Sequence, residues 1–415
     1  MSRAPLILLC LVIGLLSGVA IAGISPVAAG YAVAIGQPLG TLWLNALQMT
    51  VVPLVVSLLV TGVAATAQAA RAGRIAARAI ILFVATVTAT GTMAALAGPL
   101  LLDLFPVPQA AAAALRAALT DAASVAPPPP LGEFIASIVP TNVISAAANN
   151  AFLSLIVFTL AFAFAITRLD EAPRARLIDF FTAIRDAMLI LIEWVLRLAP
   201  IGVFALALVV GARAGTAAFG ALAHYVLIVS AIGVLVMLMA YALALVGGRI
   251  GIVRFARALA PAQAVAISTQ SSLASLPAML QGARRLGIAE STAGMVLPLA
   301  VAILRGTQPA MNIGIAVYIA HWFGIAITPG ALASAVFVGV LVSLGSVSLP
   351  AQITFYASIA PVCQALGVPI APLGLLIAIE TFPDIFRTLG NVSMDLAATA
   401  TVSHLSGTTD HEGHP

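Results

Sequence analysis

The chain has 415 residues, 62% of them hydrophobic and only 8% charged, with a mean hydropathy of +1.15. Soluble domains carry about 25% charged residues, so this composition excludes a large soluble core and predicts an all-α polytopic membrane protein. The formal charge of +4 comes from scattered arginines with no lysine, which excludes a nucleic-acid-binding stripe, and the two cysteines, Cys10 and Cys363, offer neither a disulfide framework nor metal-ligand spacing.

In chain order, apolar segments cover Pro5–Ile24, Leu42–Ala64, Ala79–Leu104, Phe134–Ile166, Ala187–Val210 and Phe219–Val246. The first follows Arg3 and resembles a signal peptide, but an apolar run of about 20 residues points to an uncleaved first transmembrane helix. Arg71, Arg74 and Arg78 lie between the second and third segments, Arg168, Arg174 and Arg176 between the fourth and fifth, and Arg249, Arg254 and Arg257 after the sixth. By the positive-inside rule these loops and the N-terminus are cytoplasmic. The Ala-rich loop from Phe105 to Leu131 is then external, and Pro127–Pro130 make its end extended.

After Arg257 the pattern breaks. The next basic pair, Arg284 and Arg285, also belongs on the cytoplasmic side, yet an apolar stretch lies between them. That stretch is expected to enter and leave by one face as a re-entrant hairpin with its tip in the hydroxyl-rich run Ser268–Pro277; the simpler alternative is a kinked helix. Non-helical backbone at membrane depth survives only where it lines protein or a cavity, so the tip reads as a site. Ser291–Trp322 is interrupted by Leu304-Arg305-Gly306-Thr307-Gln308-Pro309 and reads as a broken helix. Leu332–Ala365 is too long for one crossing and has a centre of Gly345-Ser346-Val347-Ser348-Leu349-Pro350, a second hairpin. Two such units read as an inverted repeat, the sequence sign of a transporter's central site.

The last segment, Leu375–Val402, is apolar yet carries Glu380, Asp384, Arg387, Thr388, Asn391 and Asp395. At about 100° per residue, five of the six fall within roughly 80° of one another, with Thr388 at the edge of the stripe. A charge at the bilayer centre costs about 2.5–3.5 kcal/mol on insertion scales, so this column is expected to face a protein-lined cavity. The alternative is a salt-bridge network that only holds helices together. Three acids against one arginine leave negative charge for a cation or a substrate ammonium. The tail His404–Pro415 is polar, and its histidines read as solvated rather than metal-binding.

These segments resemble the dicarboxylate/amino acid:cation symporters, the glutamate-transporter-like family, over nearly the whole chain. Met49–Ala64 resembles the second helix, Ile138–Leu160 the fourth and Trp194–Leu208 the fifth. Ser271–Pro277 is similar to the serine-rich tip of the first hairpin, Val296–Leu299 to the opening of the seventh helix, and Asp384–Asp395 to the substrate-binding eighth helix. The resemblance implies eight transmembrane helices plus two re-entrant hairpins in an elevator fold, assembled as a homotrimer in the cytoplasmic (inner) membrane with both termini cytoplasmic. It divides the chain into scaffold helices 1 and 2 (1–70), transport-domain helix 3 (71–105), an external loop (106–131), scaffold helices 4 and 5 (132–215), helix 6 (216–250), hairpin 1 (251–285), broken helix 7 (286–327), hairpin 2 (328–366), helix 8 (367–403) and a cytoplasmic tail (404–415).

By position, the resemblance implies that Arg387 binds a substrate carboxylate and Asp384 an α-amino group. Thr388 and Asn391 would hydrogen-bond the substrate, as would Gln308. Ser271 and Ser272 would present the first hairpin tip, Leu349 and Pro350 the closing tip of the second. Asp395 and Asn391 would form an ion site, with Thr86, Ser346, Glu380 and Arg305 as further ion-binding or coupling residues. An arginine fork suits a carboxylate, and Asp384 one turn away suits an ammonium. The family's NMDGT signature is missing, and Leu304-Arg305-Gly306-Thr307-Gln308 occupies its place; Gln270 stands where many prokaryotic members carry Arg, and Phe83 where a Tyr is expected.

The function implied is symport of an acidic amino acid or small C4-dicarboxylate with Na+ or H+, with reduced or altered sodium coupling and no cofactor. A receptor or anion channel on the same fold is the competing class. An intramembrane hydrolase would need a Ser–His or paired-Asp arrangement, and neither His224 nor His321 has an evident nucleophile beside it.

Overall fold

The computed structural model describes residues 4–71, 73–107, 138–345 and 351–407, and its described elements are helices. The first is Ala4–Ile24. Ser25 separates it from the next, Pro26–Gln48, whose start is set by a proline at the first helical position and by the Ser25 hydroxyl accepting from the Ala28 N–H at 3.4 Å. A third helix, Val51–Arg71, follows Met49 and Thr50. The predicted segment Leu42–Ala64 is therefore not one helix. Pro53 lacks the N–H that would bond back to Met49, and the Thr50 hydroxyl donates instead to the Leu47 carbonyl at 2.7 Å.

Other expected segments are interrupted for equally local reasons. Within Phe134–Ile166, the helices Val143–Ala148 and Phe152–Thr167 are separated at Asn149–Ala151, where Asn150 adopts a left-handed φ of 53°. Ala187–Val210 spans a bend of 56° between Glu171–Arg197 and Ala199–Ala214, with Pro200 opening the second helix. Ala217–Val246 is a single helix, as is Arg74–Leu104. Among the described residues, four helical stretches are long and apolar enough to cross a membrane, Pro5–Ile24, Pro26–Ala69, Arg74–Leu104 and Ala217–Val246, and the bent pair adds a fifth. The Phe105–Leu131 loop from residue 108 onward, and Ser346, Leu349 and Pro350, lie outside the described residues.

Ile252–Thr269 and Ser272–Arg285 fold back on each other. The Arg254 guanidinium at the start of the first arm donates to the Leu286 carbonyl beyond the end of the second at 3.0 Å, so both free ends lie together. Gln270 makes the turn in a left-handed conformation, φ 50°. Glu290–Ile303 and Gln308–Phe323 form the broken helix, with Leu304–Thr307 between them. Pro329–Gly345 and Ala351–Leu366 are a second pair of packed arms.

The last apolar stretch is not one helix from Leu375. A short turn, Leu373–Leu376, leads into a helix that runs from Thr381 to Ser406, three residues past the expected end of that unit. Pro383 is tolerated because it falls in the first turn, where N–H groups have no intrahelical acceptor. Every residue from Gly390 to Ser403 is buried. Ala217–Val246, both arms of the first pair, Glu290–Ile303 and Arg74–Leu104 pack around it. Gly390 permits this, since a Cβ there would overlap Thr307. By contrast, Ala4–Ile24 packs on Ala199–Ala214 through Gly14, Gly18 and Gly211, and Pro26–Gln48 does so through Gly36, Gly40 and Gly202, while Ile24, Tyr31, Ile35 and Leu42 are exposed. Small residues inside and large apolar ones outside suit lipid as the solvent.

Candidate functional site

The charged column of the final helix is buried, as its spacing requires. Glu380 and Asp395 have no solvent exposure, and Asp384, Arg387, Thr388 and Asn391 are each under 9% exposed. The polar face therefore turns inward, and the groups there must find partners or ligands.

Arg387 is the hub. Its Nη2 donates to Glu380 Oε1 at 2.6 Å, its Nη1 donates to Asn312 Oδ1 at 3.3 Å, and its Nε lies 3.7 Å from Asp384 Oδ1 without a hydrogen bond. A guanidinium has five N–H groups in a planar fork. Glu380 also accepts from the Tyr225 hydroxyl at 3.4 Å. Thr388 donates its hydroxyl to the Asp384 carbonyl at 2.9 Å. Asn312, in the middle of Gln308–Phe323, sends Nδ2 to the Ser358 carbonyl at 3.2 Å on the second arm of the second pair.

One turn further along, Asn391 Oδ1 accepts the Thr307 backbone N–H at 3.0 Å, and the Thr307 hydroxyl lies 2.8 Å from the same oxygen. This ties the break in the Ser291–Trp322 segment to the final helix. Arg305 sits in that break. Its carbonyl accepts from the Ser343 hydroxyl at 3.3 Å, and its guanidinium is in electrostatic reach of Asp395 and Asp384. Both carboxylate oxygens of Asp395 are buried and have no hydrogen-bond partner among the described residues. A buried carboxylate left so is costly and needs a cation nearby.

At the other end of the column, Gln270 Nε2 donates to the Thr381 carbonyl at 2.9 Å. The tip of the first pair thus touches the start of the final helix, one turn before Asp384. Ser271 caps the second arm, accepting from the Ala274 N–H at 3.2 Å, and Ser272 opens that arm half-buried. Gln308 is buried at the first turn after the break, and Thr86 is buried on Arg74–Leu104. So Arg387, Asp384, Thr388, Asn391, Glu380, Asp395 and Arg305 converge on one region, and the first hairpin tip reaches its edge. Asn312 and Tyr225 carry no role in the sequence reading. The available signal for Asn312 is its amide in an otherwise apolar run. For Tyr225 there is none, because its hydroxyl meets Glu380 only through the packing of Ala217–Val246.

His224 does not lack partners, contrary to its place near a segment end. Its Nε2 lies 2.9 Å from the Phe105 carbonyl and its Nδ1 3.2 Å from the Tyr318 hydroxyl. The carbonyl can only accept, which assigns the proton to Nε2. These contacts tie Ala217–Val246 to Gln308–Phe323 and to the end of Arg74–Leu104.

The profile of the sodium:dicarboxylate symporter family matches residues 4–405, nearly the whole chain. The chain belongs to that family. It is similar to a C4-dicarboxylate transport protein of Rhodopseudomonas palustris (strain BisB5), 27% identical over 381 residues that cover 91% of this chain and 83% of the relative. It is also similar to a proton/sodium-glutamate symport protein of Bacillus subtilis (strain 168), 26% identical with 89% and 86% covered. A proton/glutamate-aspartate symporter of Escherichia coli (strain K12) is 27% identical, with 86% and 82% covered. The family member described here is a multi-pass membrane transporter and not an enzyme, and its family couples transport to cations.

Proposed function

We propose that the chain imports an acidic amino acid across the cytoplasmic membrane, with the final helix as the substrate-binding element and a cation or proton as the coupled ion. The observation that carries this reading is the Arg387–Asp384 pair. Two of the five guanidinium N–H groups are spent on Glu380 and Asn312, which leaves a fork for a carboxylate. Asp384 Oδ1, 3.7 Å from Nε, stands ready for an ammonium on the same ligand. A plain C4-dicarboxylate, as named for the Rhodopseudomonas relative, offers nothing to Asp384, and so we favour aspartate or glutamate.

On this reading residues 1–70 and 132–215 are the fixed scaffold of a homotrimer. Helices 3 and 6 (71–105 and 216–250), the two hairpins, the broken helix and the final helix move as an elevator, with both termini cytoplasmic. Sodium coupling is reduced, because Leu304 and Gly306 bring no oxygen-bearing side chain to the break while Arg305 brings a fixed positive charge facing Asp395.

The experiment is a thermal-shift screen of the purified protein with aspartate, glutamate, succinate, fumarate and neutral amino acids, each in sodium, potassium or choline, followed by counterflow of the best ligand in proteoliposomes. Stabilisation by aspartate or glutamate with counterflow is expected. Stabilisation by succinate alone overturns the amino-acid assignment, and binding without counterflow overturns transport.

A further inference from the structure

The structure assigns to Asn312 a positioning role: it fixes the Arg387 guanidinium for the substrate carboxylate and ties it to the second arm of the second hairpin. The inference rests on Arg387 being the carboxylate-binding residue.

Asn312 has no solvent exposure and sits in Gln308–Phe323, followed by the apolar and glycine run Ile313–Val317. An amide buried there is unfavourable unless both of its ends are bonded, and a leucine would pack the same space without that cost. Here both ends are bonded, and to elements of the site. Oδ1 accepts from Arg387 Nη1 at 3.3 Å, and Nδ2 donates to the Ser358 carbonyl at 3.2 Å. Ser358 belongs to the helix Ala351–Leu366.

The consequence is geometric. Glu380 draws Nη2 from one side at 2.6 Å. Without a second acceptor the guanidinium plane is free to turn about that contact and offer its remaining N–H groups elsewhere. Asn312 holds Nη1, so the plane is fixed by two acceptors on two different helices. Because the amide is itself anchored to Ser358, the aim of the fork follows the position of that hairpin arm. A neutral amide suits the role: it accepts from the guanidinium without taking the charge that the substrate carboxylate must meet.

The test uses the full-length protein in proteoliposomes, with KM and maximal rate for aspartate and glutamate in the wild type and in Asn312→Leu, Asn312→Gln, Asn312→Asp and Arg387→Ala. Asn312→Leu is expected to raise KM by about ten-fold or more with a maximal rate within about two-fold, the loss typical of a hydrogen bond to a charged group. Asn312→Gln, which keeps both halves of the amide, recovers most of that loss. Asn312→Asp keeps the shape but brings a competing carboxylate to the guanidinium, and KM rises again. An unchanged KM in Asn312→Leu overturns the proposal, as does equal impairment of the Leu and Gln variants, which marks a packing role alone. Should the Leu variant fail to fold, an unchanged KM in Asn312→Asp overturns it. An Arg387→Ala protein with unaltered KM instead removes the underlying reading, independently of Asn312.

Discussion

Glu380 and Arg387 stand seven residues apart and meet through Oε1 and Nη2 at 2.6 Å, with the carboxylate wholly excluded from solvent. Glu380 occupies the residue just before the helix, so its side chain reaches along the first two turns to the guanidinium. The Arg387 charge is therefore already compensated inside the protein, and under the proposed function an incoming carboxylate must share the guanidinium with Glu380.

Glu380→Gln keeps an acceptor beside Arg387 and removes that competition. Acidic substrates are expected to bind more tightly, by about ten-fold, as a guanidinium loses its internal counter-charge. The unliganded protein is expected to lose stability, because breaking a buried ion pair costs about 3–5 kcal/mol. The gap between the melting temperatures of free and aspartate-saturated protein should widen. A narrower gap than in the wild type would show that Glu380 assists binding.

How much of this was legible in the sequence follows from what each signal depends on. The column from Glu380 to Asp395 was legible because it is local: residues at helical spacing share a face whatever the tertiary structure. The break at Leu304–Pro309 and the fold-back between Arg257 and Arg284 were legible because proline, glycine and charge cannot be reconciled with an unbroken apolar span. Helix ends were less so. The breaks at Met49–Thr50 and Leu198 sit inside long, mostly apolar stretches, where scattered polar residues such as Gln48 and Arg197 do not by themselves end a helix and Pro53 and Pro200 mark the change. Asn312, Tyr225 and Thr307 carry no site role in the sequence, although the Asn312 amide stands out in its apolar run. Their partners lie 75, 155 and 84 positions away, and only packing brings them together.

The Thr307–Asn391 contact makes a second expectation. Asn391 Oδ1 accepts a backbone N–H that the helix break leaves without an intrahelical carbonyl. Asn391→Leu orphans that donor in a buried setting, at about 1–3 kcal/mol. Thr307→Val keeps the N–H bond and loses the hydroxyl, which lies within reach of both Asn391 Oδ1 and the Arg387 carbonyl, so a loss of about 1 kcal/mol is expected. Thermal or denaturant unfolding in detergent checks the order. If Thr307→Val proves as harmful as Asn391→Leu, the hydroxyl and not the backbone N–H carries the contact.

The last expectation concerns the coupled ion. Asp395 is wholly buried, with both carboxylate oxygens lacking a hydrogen-bond donor among the described residues, and Arg305 is the first positive charge acting on it. Glu380, Asp384 and Asp395 against Arg387 and Arg305 leave one formal negative charge. A cluster in this balance needs fewer mobile cations than the same acids would with Arg387 alone. Placing arginine at membrane depth costs about 2.5–3.5 kcal/mol on insertion scales, which argues for a protein partner rather than lipid. The proposed role of Arg305 is that of a tethered cation on Asp395. In proteoliposomes at fixed pH and voltage, replacing sodium with choline should lower wild-type aspartate uptake by less than about two-fold. In Arg305→Met, Asp395 must recruit a mobile ion, and the same exchange should lower uptake by about ten-fold or more, the scale of losing one partner of a buried charge pair. Steep sodium dependence in the wild type would sink the tethered-cation idea. So would an Arg305→Met protein with the ion dependence of the wild type, since that leaves the guanidinium a structural role only.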